Sequence, residues 1–409
     1  MDLAQSIGNN IRSLMESRSI TIVELAKALS ISRQTLQNYL KGNSVIDSVK
    51  LVEIANYFSV PVNDLLVSPN ESSNFLFRTV LNYQLATDTI ADKIMSSINA
   101  YYSLVKKLGT QVSYFPEQYN LVVNVNNSPI DINYEWNDYF STKLKMTEEL
   151  KTELRNIAIE QRKKLGIYDT NALGAISFLQ QKGIHILFVD FGNSQTSGLS
   201  YVDDEKGCYI FVNCNAKITL ERIIFTVFHE YGHIILHRPL YKRKLYNVEN
   251  DKLTFLDKMA NIFAGYFLVP FEYLSNYNNI LNNLHALNQL FPIKHYFQVS
   301  LQTLVISLNN YNYVDRIFVN NFFAYLKKNH AMEIEPAPLI DNPEIKHSFD
   351  SIKNAKIIDL LRNGYFQGIV DTSLIKKILW LNDSEANKII EKFDLFQKTP
   401  NLFDIFTIQ

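Results

Sequence analysis

Phe228-His229-Glu230-Tyr231-Gly232-His233 decides how the centre of this chain is read. The stretch is an HExxH motif inside an apolar segment, Leu220 to His237, whose pattern predicts a helix. Two histidines four residues apart lie on one face of a helix, so both imidazoles can reach a single metal ion. Glu230 follows the first histidine and can hold a proton beside a metal-bound water. That is the layout of zinc-assisted peptide hydrolysis. A catalytic zinc also takes a third protein ligand and keeps one position open for water. The next helical stretch, Asp257-Lys258-Met259-Ala260-Asn261-Ile262-Phe263-Ala264, offers a carboxylate. Small residues at Ala260 and Ala264 let that helix press close, with Asp257 facing the two histidines. The expected site is therefore one zinc ion on His229, His233 and Asp257, with Glu230 as general base. Two histidines and a carboxylate suit zinc but leave manganese and iron open. His237, eight residues after His229, has drifted round the helix and fits a supporting partner better than a ligand. His185, His285, His295, His330 and His347 stand alone and are expected at the surface or in the core. Glu221, two turns before His229, has the wrong reach for a ligand.

Outward from this motif, Thr147 and the acidic pair Glu148-Glu149 predict a helix start, running to about Lys164. Asn171 to Lys182 reads as a second helix ended by Gly183, and Ile184 to Val189 as a strand. Ser197 to Val202 and Tyr209 to Asn213 form an expected hairpin. Tyr201 on it is a candidate oxyanion donor. Either strand, Gly198 to Tyr201 or Ile210 to Asn213, could receive an extended substrate by strand addition.

Residues from about 150 to 320 resemble the ImmA/IrrE family of metallopeptidases. The resemblance rests on Ser197-Gly198-Leu199, Ile210-Phe211-Val212-Asn213, the His-Glu-x-Gly-His-x-x-x-His run, the acid-x-x-Ala-Asn-x-Phe-Ala segment closing in Leu268-Val269-Pro270, and Phe297-Gln298-Val299-Ser300 with Leu304. In that family the third ligand is usually Glu. Asp257 is shorter by one carbon–carbon bond, so its helix must sit closer. Family members cut a specific repressor or transcription factor, and the resemblance implies that substrate class.

The N-terminal residues 1–67 read as five short helices. Ile7 to Glu16 is the first. Thr21 with Glu24 forms a capping box for Val23 to Leu29. Ser30-Ile31 turns the chain, Ser32 caps Arg33 to Leu40, and Val45 to Phe58 and Val62 to Leu66 follow. Helix, tight turn, helix is the helix-turn-helix pattern. Leu25-Ala26, Ser30-Ile31-Ser32, Leu36, Tyr39-Leu40, Ile54-Ala55, Phe58, Val60 and Leu65-Leu66 make it similar to XRE-type, lambda-repressor-like domains. Arg33, Gln34, Gln37, Asn38 and Lys41 supply a polar face for base edges in a double-stranded operator, and Ser32 and Thr35 stand where phosphate would lie. Acidic and basic residues are equal in number over 1–66, so a monomer is expected to bind weakly and a homodimer tightly.

The rest is less legible. Ser68 to Ser73 reads as a linker, and Phe75 to Leu108 as a helix with Leu81, Leu85, Ile94, Ile98, Tyr101, Val105 and Leu108 on its core side. Gln111 to Asn133 is strand-like or irregular. Pro336, Pro338 and Pro343 mark a second linker, before helices Ser351 to Asn363, Thr372 to Leu381, and one capped by Asp383-Ser384 that runs to about Phe393. The expected fold is mostly α with a small β-sheet (α+β), divided into a helix-turn-helix domain (1–67), a helical linker region (68–145), a zincin-like α+β peptidase domain (146–320) and a helical C-terminal region (321–409). A net charge of -1 argues against a large polyanion-binding surface. The two cysteines, Cys208 and Cys214, read as inert thiols. With no signal pattern and no membrane-length apolar run, a cytoplasmic protein without membrane contact is expected.

Together these features predict a DNA-binding transcriptional regulator carrying a zinc endopeptidase that cuts a regulatory protein such as a repressor. The alternative is a regulator whose peptidase fold survives only as a catalytically inactive sensor or oligomerisation domain. Asp257 keeps that alternative open, and the retained Glu230 argues against it.

Overall fold

The computed structural model describes residues 3–17, 20–58, 62, 65, 75–77, 87–110, 115–125, 128–131, 146–168, 171–192, 196–241, 250–328 and 335–398. They fall into two compact units divided between Phe75 and Leu76.

The first unit holds α1 (Leu3–Ser17), α2 (Ile22–Ala28), α3 (Arg33–Leu40) and α4 (Ser48–Tyr57). Its boundaries follow local chemistry. Thr21 Oγ1 accepts from the Glu24 amide at 3.3 Å while Glu24 Oε2 accepts from the Thr21 amide at 2.8 Å, the expected capping box. Ser32 Oγ caps α3 through the Thr35 amide at 3.0 Å, and Asp47 caps α4 through the Lys50 amide at 2.9 Å. Ile11, Leu25, Leu36, Ile54 and Phe58 meet in a fully buried core. Of the expected fifth helix, Val62 and Leu65 are helical, and the rest of Val62 to Leu66 lies outside the described residues, as does the linker Ser68 to Ser73.

The second unit is built on a sheet. In chain order its elements begin β1 (Phe75–Phe77), α5 (Thr87–Lys107), β2 (Val122–Val125), β3 (Ser128–Asp131), α6 (Glu148–Leu165) and α7 (Ala172–Lys182). Then come β4 (His185–Val189), β5 (Gly198–Asp203), β6 (Gly207–Asn213), α8 (Leu220–Leu236) and α9 (Asn250–Leu268). The sheet order is β1-β5-β6-β4, with β5 antiparallel and β4 parallel to β6; β2 and β3 form a separate hairpin. Because β6 lies between β5 and β4, both its edges are paired, which removes Ile210 to Asn213 as a place for strand addition. Residues 75–77 form a strand where a helix was expected. Phe-Leu-Phe is a β-favouring triplet. Leu81 and Leu85 lie outside the described residues, whereas Ile94, Ile98, Tyr101 and Val105 are buried.

α8 packs on one face of the sheet and is buried at every position except Arg222 and Phe225. A helix apolar nearly all round belongs in a core. Each buried Ile or Phe along it contributes about 1.5–3 kcal/mol. α9 packs against α8, and α6 packs in turn against α9. The opposite sheet face carries Tyr209, Phe211 and Tyr201, which meet Tyr101 of α5 and Trp380. No helix among the described residues is long and apolar enough to cross a membrane.

Beyond α9 come α10 (Phe291–Phe297), α11 (Leu301–Asn310), α12 (Arg316–Lys328), α13 (Pro343–Ile352), α14 (Ala355–Phe366), α15 (Thr372–Leu379) and α16 (Asp383–Lys398). The proline-bearing segment expected as a linker is instead packed and hydrogen-bonded. Lys294 Nζ on α10, fully buried, donates to Glu335 Oε1 and to the carbonyls of Pro336 and Ala337 at 2.8–2.9 Å. It also pairs with Glu221 Oε1 of α8 at 3.2 Å, and Glu221 Oε1 accepts from the Leu339 amide at 2.7 Å. Pro343 then opens α13, where its missing amide costs nothing. Ser351 ends α13 rather than starting the next helix, because Asn354 takes a left-handed turn with φ 56° before α14.

Candidate metal centre and nucleic-acid interface

His229 and His233 are buried on α8 and face Asp257 on α9. His229 Nε2 and His233 Nε2 stand 3.1 Å apart, and Asp257 Oδ1 lies 3.7 Å from the first and 3.3 Å from the second. Four-coordinate zinc with metal–nitrogen distances of ~2.05 Å sets its ligands ~3.3 Å apart. The spacing therefore fits one such ion. The three donors are the metal-competent His, Cys, Asp and Glu group found among the described residues.

Two glycines let the elements close. A Cβ on Gly232 would lie 2.9 Å from Phe263 Cδ1 and 3.4 Å from Ala260 Cα, so α8 and α9 touch backbone to backbone beside the site. This close approach is what the shorter Asp257 requires. A Cβ on Gly198 would lie 2.3 Å from Thr226 Cγ2 and 3.0 Å from the Phe211 carbonyl, so β5 lies directly over α8 next to Glu230.

Each imidazole is oriented from behind. His229 Nδ1–H donates to Asn261 Oδ1 at 2.9 Å, which leaves the Nε2 lone pair toward Asp257. His233 Nδ1 meets His237 Nδ1 at 2.9 Å. With His233 Nε2 facing the other donors, its Nδ1–H donates to His237, whose own proton then sits on Nε2. Among the described residues that buried Nε2 has no hydrogen-bond partner. Burial, reinforced by His233, holds the His237 pKa well below its ordinary value, so His237 is a neutral acceptor. Burial pushes the Asp257 carboxyl up, but His229 and His233, when their Nε2 atoms carry protons in place of a metal, outweigh it and bring it to about 2. The side chain of Asp257 is 22% exposed and marks the open side of the cluster.

Glu230 is fully buried on the sheet side of α8. Ser200 Oγ donates to Glu230 Oε2 at 2.6 Å, and Tyr241 OH donates to Ser200 Oγ at 2.7 Å. Tyr201 is not brought to the site. Alternation along β5 turns it to the opposite sheet face, where its hydroxyl lies 3.4 Å from Asp203 Oδ2 and its ring meets Tyr209. The oxyanion role expected of Tyr201 is thereby removed. Ser200, Tyr241 and Asn261 were not expected as site residues. Only Asn261 carried a sequence signal, through the Ala-Asn pair one turn after Asp257.

Other expectations resolve simply. Glu221 belongs to the Lys294 cluster. His185 lies in the aromatic layer against Tyr209, and His295 Nε2 donates to the Ala337 carbonyl. His330 lies outside the described residues. Burial pushes the Cys208 thiol up to about 12, leaving it inert.

On α3 the apolar side chains Leu36, Tyr39 and Leu40 are buried, while Arg33, Gln34 and Lys41 are exposed and Gln37 and Asn38 are half-buried. Ser32 Oγ and Thr35 Oγ1 share a 2.8 Å hydrogen bond at the start of the helix. The face expected to read base edges is therefore presented outward, on a helix capped and packed from behind.

Residues 179–309 match a metallopeptidase family model described as the IrrE N-terminal-like domain, and residues 11–65 match the helix-turn-helix model. The chain carries both. The IrrE-like match spans β4 to α11 and contains His229, Glu230, His233 and Asp257. The helix-turn-helix match contains all of α3, and it marks this part of the chain as a DNA-binding domain. No curated protein and no solved structure matches the chain significantly.

Proposed function

We propose that this chain is a DNA-binding transcriptional regulator carrying a zinc-dependent endopeptidase, which hydrolyses a peptide bond in a specific regulatory protein such as a repressor. The observation that carries the reading is the convergence of His229 Nε2, His233 Nε2 and Asp257 Oδ1 at 3.1–3.7 Å beside a buried Glu230. Two nitrogen lone pairs and a carboxylate oxygen this close are stabilised by a shared cation. Glu230 is not needed by a purely structural ion.

His229, His233 and Asp257 hold the metal, with Asn261 and His237 fixing the two imidazoles. When bound, zinc lowers the pKa of a coordinated water and polarises the scissile carbonyl. Glu230 takes the proton of the attacking water and delivers it to the leaving amine. On α3, Arg33, Gln34, Gln37, Asn38 and Lys41 read the operator, with Ser32 and Thr35 near its phosphates. A homodimer in the cytoplasm supplies the affinity that a charge-balanced monomer lacks. Tethering at an operator raises the local concentration of a repressor bound nearby, which is what joining the two domains accomplishes.

The test is Glu230→Gln in the full chain. Metal content and operator binding stay at wild-type levels, while repressor cleavage falls about 10²- to 10⁴-fold. Regulation that persists unchanged in this variant, with no cleavage by the wild type, contradicts the enzyme and leaves a regulator with an inactive peptidase-like sensor.

A further inference from the structure

We propose that Ser200 and Tyr241 are a positioning pair for Glu230, an assignment that rests on the peptidase reading above. Ser200, Tyr241 and Glu230 are each fully buried, and the two contacts joining them are 2.6 and 2.7 Å. The direction of the chain follows from its end. A carboxylate oxygen accepts, and Ser200 O–H donates to Glu230 Oε2. The Ser200 oxygen is then filled by the Tyr241 O–H. Burial holds the Tyr241 phenol well above its ordinary pKa, so it keeps the proton that makes it a donor.

Such a chain answers a geometric need. A glutamate side chain has three rotatable bonds, and a general base must keep its oxygen within hydrogen-bond reach of the proton it removes. Fixing Oε2 from the sheet fixes the plane of the whole carboxylate. Packing alone does not call for these residue types, since burying two hydroxyls in an apolar layer is costly unless both are bonded. The origin of the pair points the same way. Tyr241 ends the short helix Arg238–Tyr241 that follows the α8 cap His237. One turn of chain thus braces both parts of the centre: His237 supports the ligand His233, and Tyr241, through Ser200, supports the base.

The experiment uses the zinc-loaded full chain with Ser200→Ala, Tyr241→Phe and Ser200→Thr. Zinc per chain is read by native mass spectrometry, turnover on the best-cleaved member of a mixed peptide library, and the Glu230 carboxylate by crystallography. Zinc content is expected to be unchanged throughout. In Ser200→Ala, kcat falls on the order of 10- to 100-fold with KM within about twofold, and Tyr241→Phe loses several-fold. Ser200→Thr, which keeps the hydroxyl, recovers most of the rate. The carboxylate rotates away in Ser200→Ala. Unchanged kcat, or a carboxylate that stays in place in Ser200→Ala, overturns the assignment. If the wild-type chain cleaves no peptide, the proposed activity fails on its own. The crystallographic position then decides the pair: a displaced carboxylate supports it and an unmoved one sinks it.

Discussion

His229 and His233 are buried, and each spends its second ring nitrogen on a partner that fixes which nitrogen faces Asp257, whereas Arg33, Gln34 and Lys41 on α3 stand exposed to solvent. One region is arranged before any partner arrives, and the other presents side chains that a partner orders. Hydrolytic chemistry requires the first, because reacting groups misplaced by about 1 Å cost on the order of 100-fold in rate. Groove reading tolerates the second, because base edges and phosphates supply the order on binding. The contrast implies that substitutions in the metal centre act on fold and chemistry together, while substitutions of the exposed α3 side chains leave the fold intact.

The largest effect is expected at the base of the metal helix. Lys294→Ala leaves the carboxylates of Glu221 and Glu335 buried without their cation. It should destabilise the second unit by about 3–5 kcal/mol in urea unfolding followed by tryptophan fluorescence. A loss below about 0.5 kcal/mol would mean that the base of α8 is not held by this cluster. Gly232→Ala acts nearer the site. Its Cβ would press on Phe263 at 2.9 Å and part α8 from α9, costing about 1–3 kcal/mol and weakening metal binding in the same variant. Full metal affinity in a folded Gly232→Ala chain would show that Asp257 does not depend on this approach.

On the other side of the comparison, Gln37→Ala should weaken specific operator binding by about 1–3 kcal/mol and leave stability within about 0.5 kcal/mol. Binding titrations paired with thermal melts check both halves. A Gln37→Ala chain that loses stability as much as affinity would place α3 with the structural helices. The smallest effect separates the ligands by pH. Asp257 is depressed to about 2 from 3.8, so its stabilising charge is complete above pH 3.8 and is lost only as pH falls toward 2. Metal released on acidification while Asp257 is still ionised, above pH 3.8, is therefore not set by the carboxylate. Release delayed until below pH 4 would assign control to the carboxylate.

What could be read from sequence was local. Thr21 and Ser32 announce their helices because a cap and its amide lie within three residues, and both cap as expected. The histidine pair is legible for the same reason, since helical spacing alone aligns it. Asp257 was legible as the carboxylate of the next helix, whose small residues Ala260 and Ala264 allow a close approach. The Glu230 support was illegible because its contacts join residues 30 and 41 positions apart, and no periodicity spans such a gap. The face that Tyr201 takes was illegible because β5 is buried from Gly198 to Val202 on both faces, which erases the alternation that tells one face from the other. The prolines near residue 340 suggested a linker, and only the fold reveals a buried lysine satisfied by the carbonyls of Pro336 and Ala337.

In the proposed site, Asp257 completes a metal centre begun by the HExxH helix. The most direct measurement is bound metal per chain by native mass spectrometry, in the wild type and in His233→Ala and Asp257→Ala. One zinc per wild-type chain, lost in both variants while the chain stays folded, is the predicted result. Zinc retained in Asp257→Ala, or no metal in a wild type supplied with zinc, would contradict it.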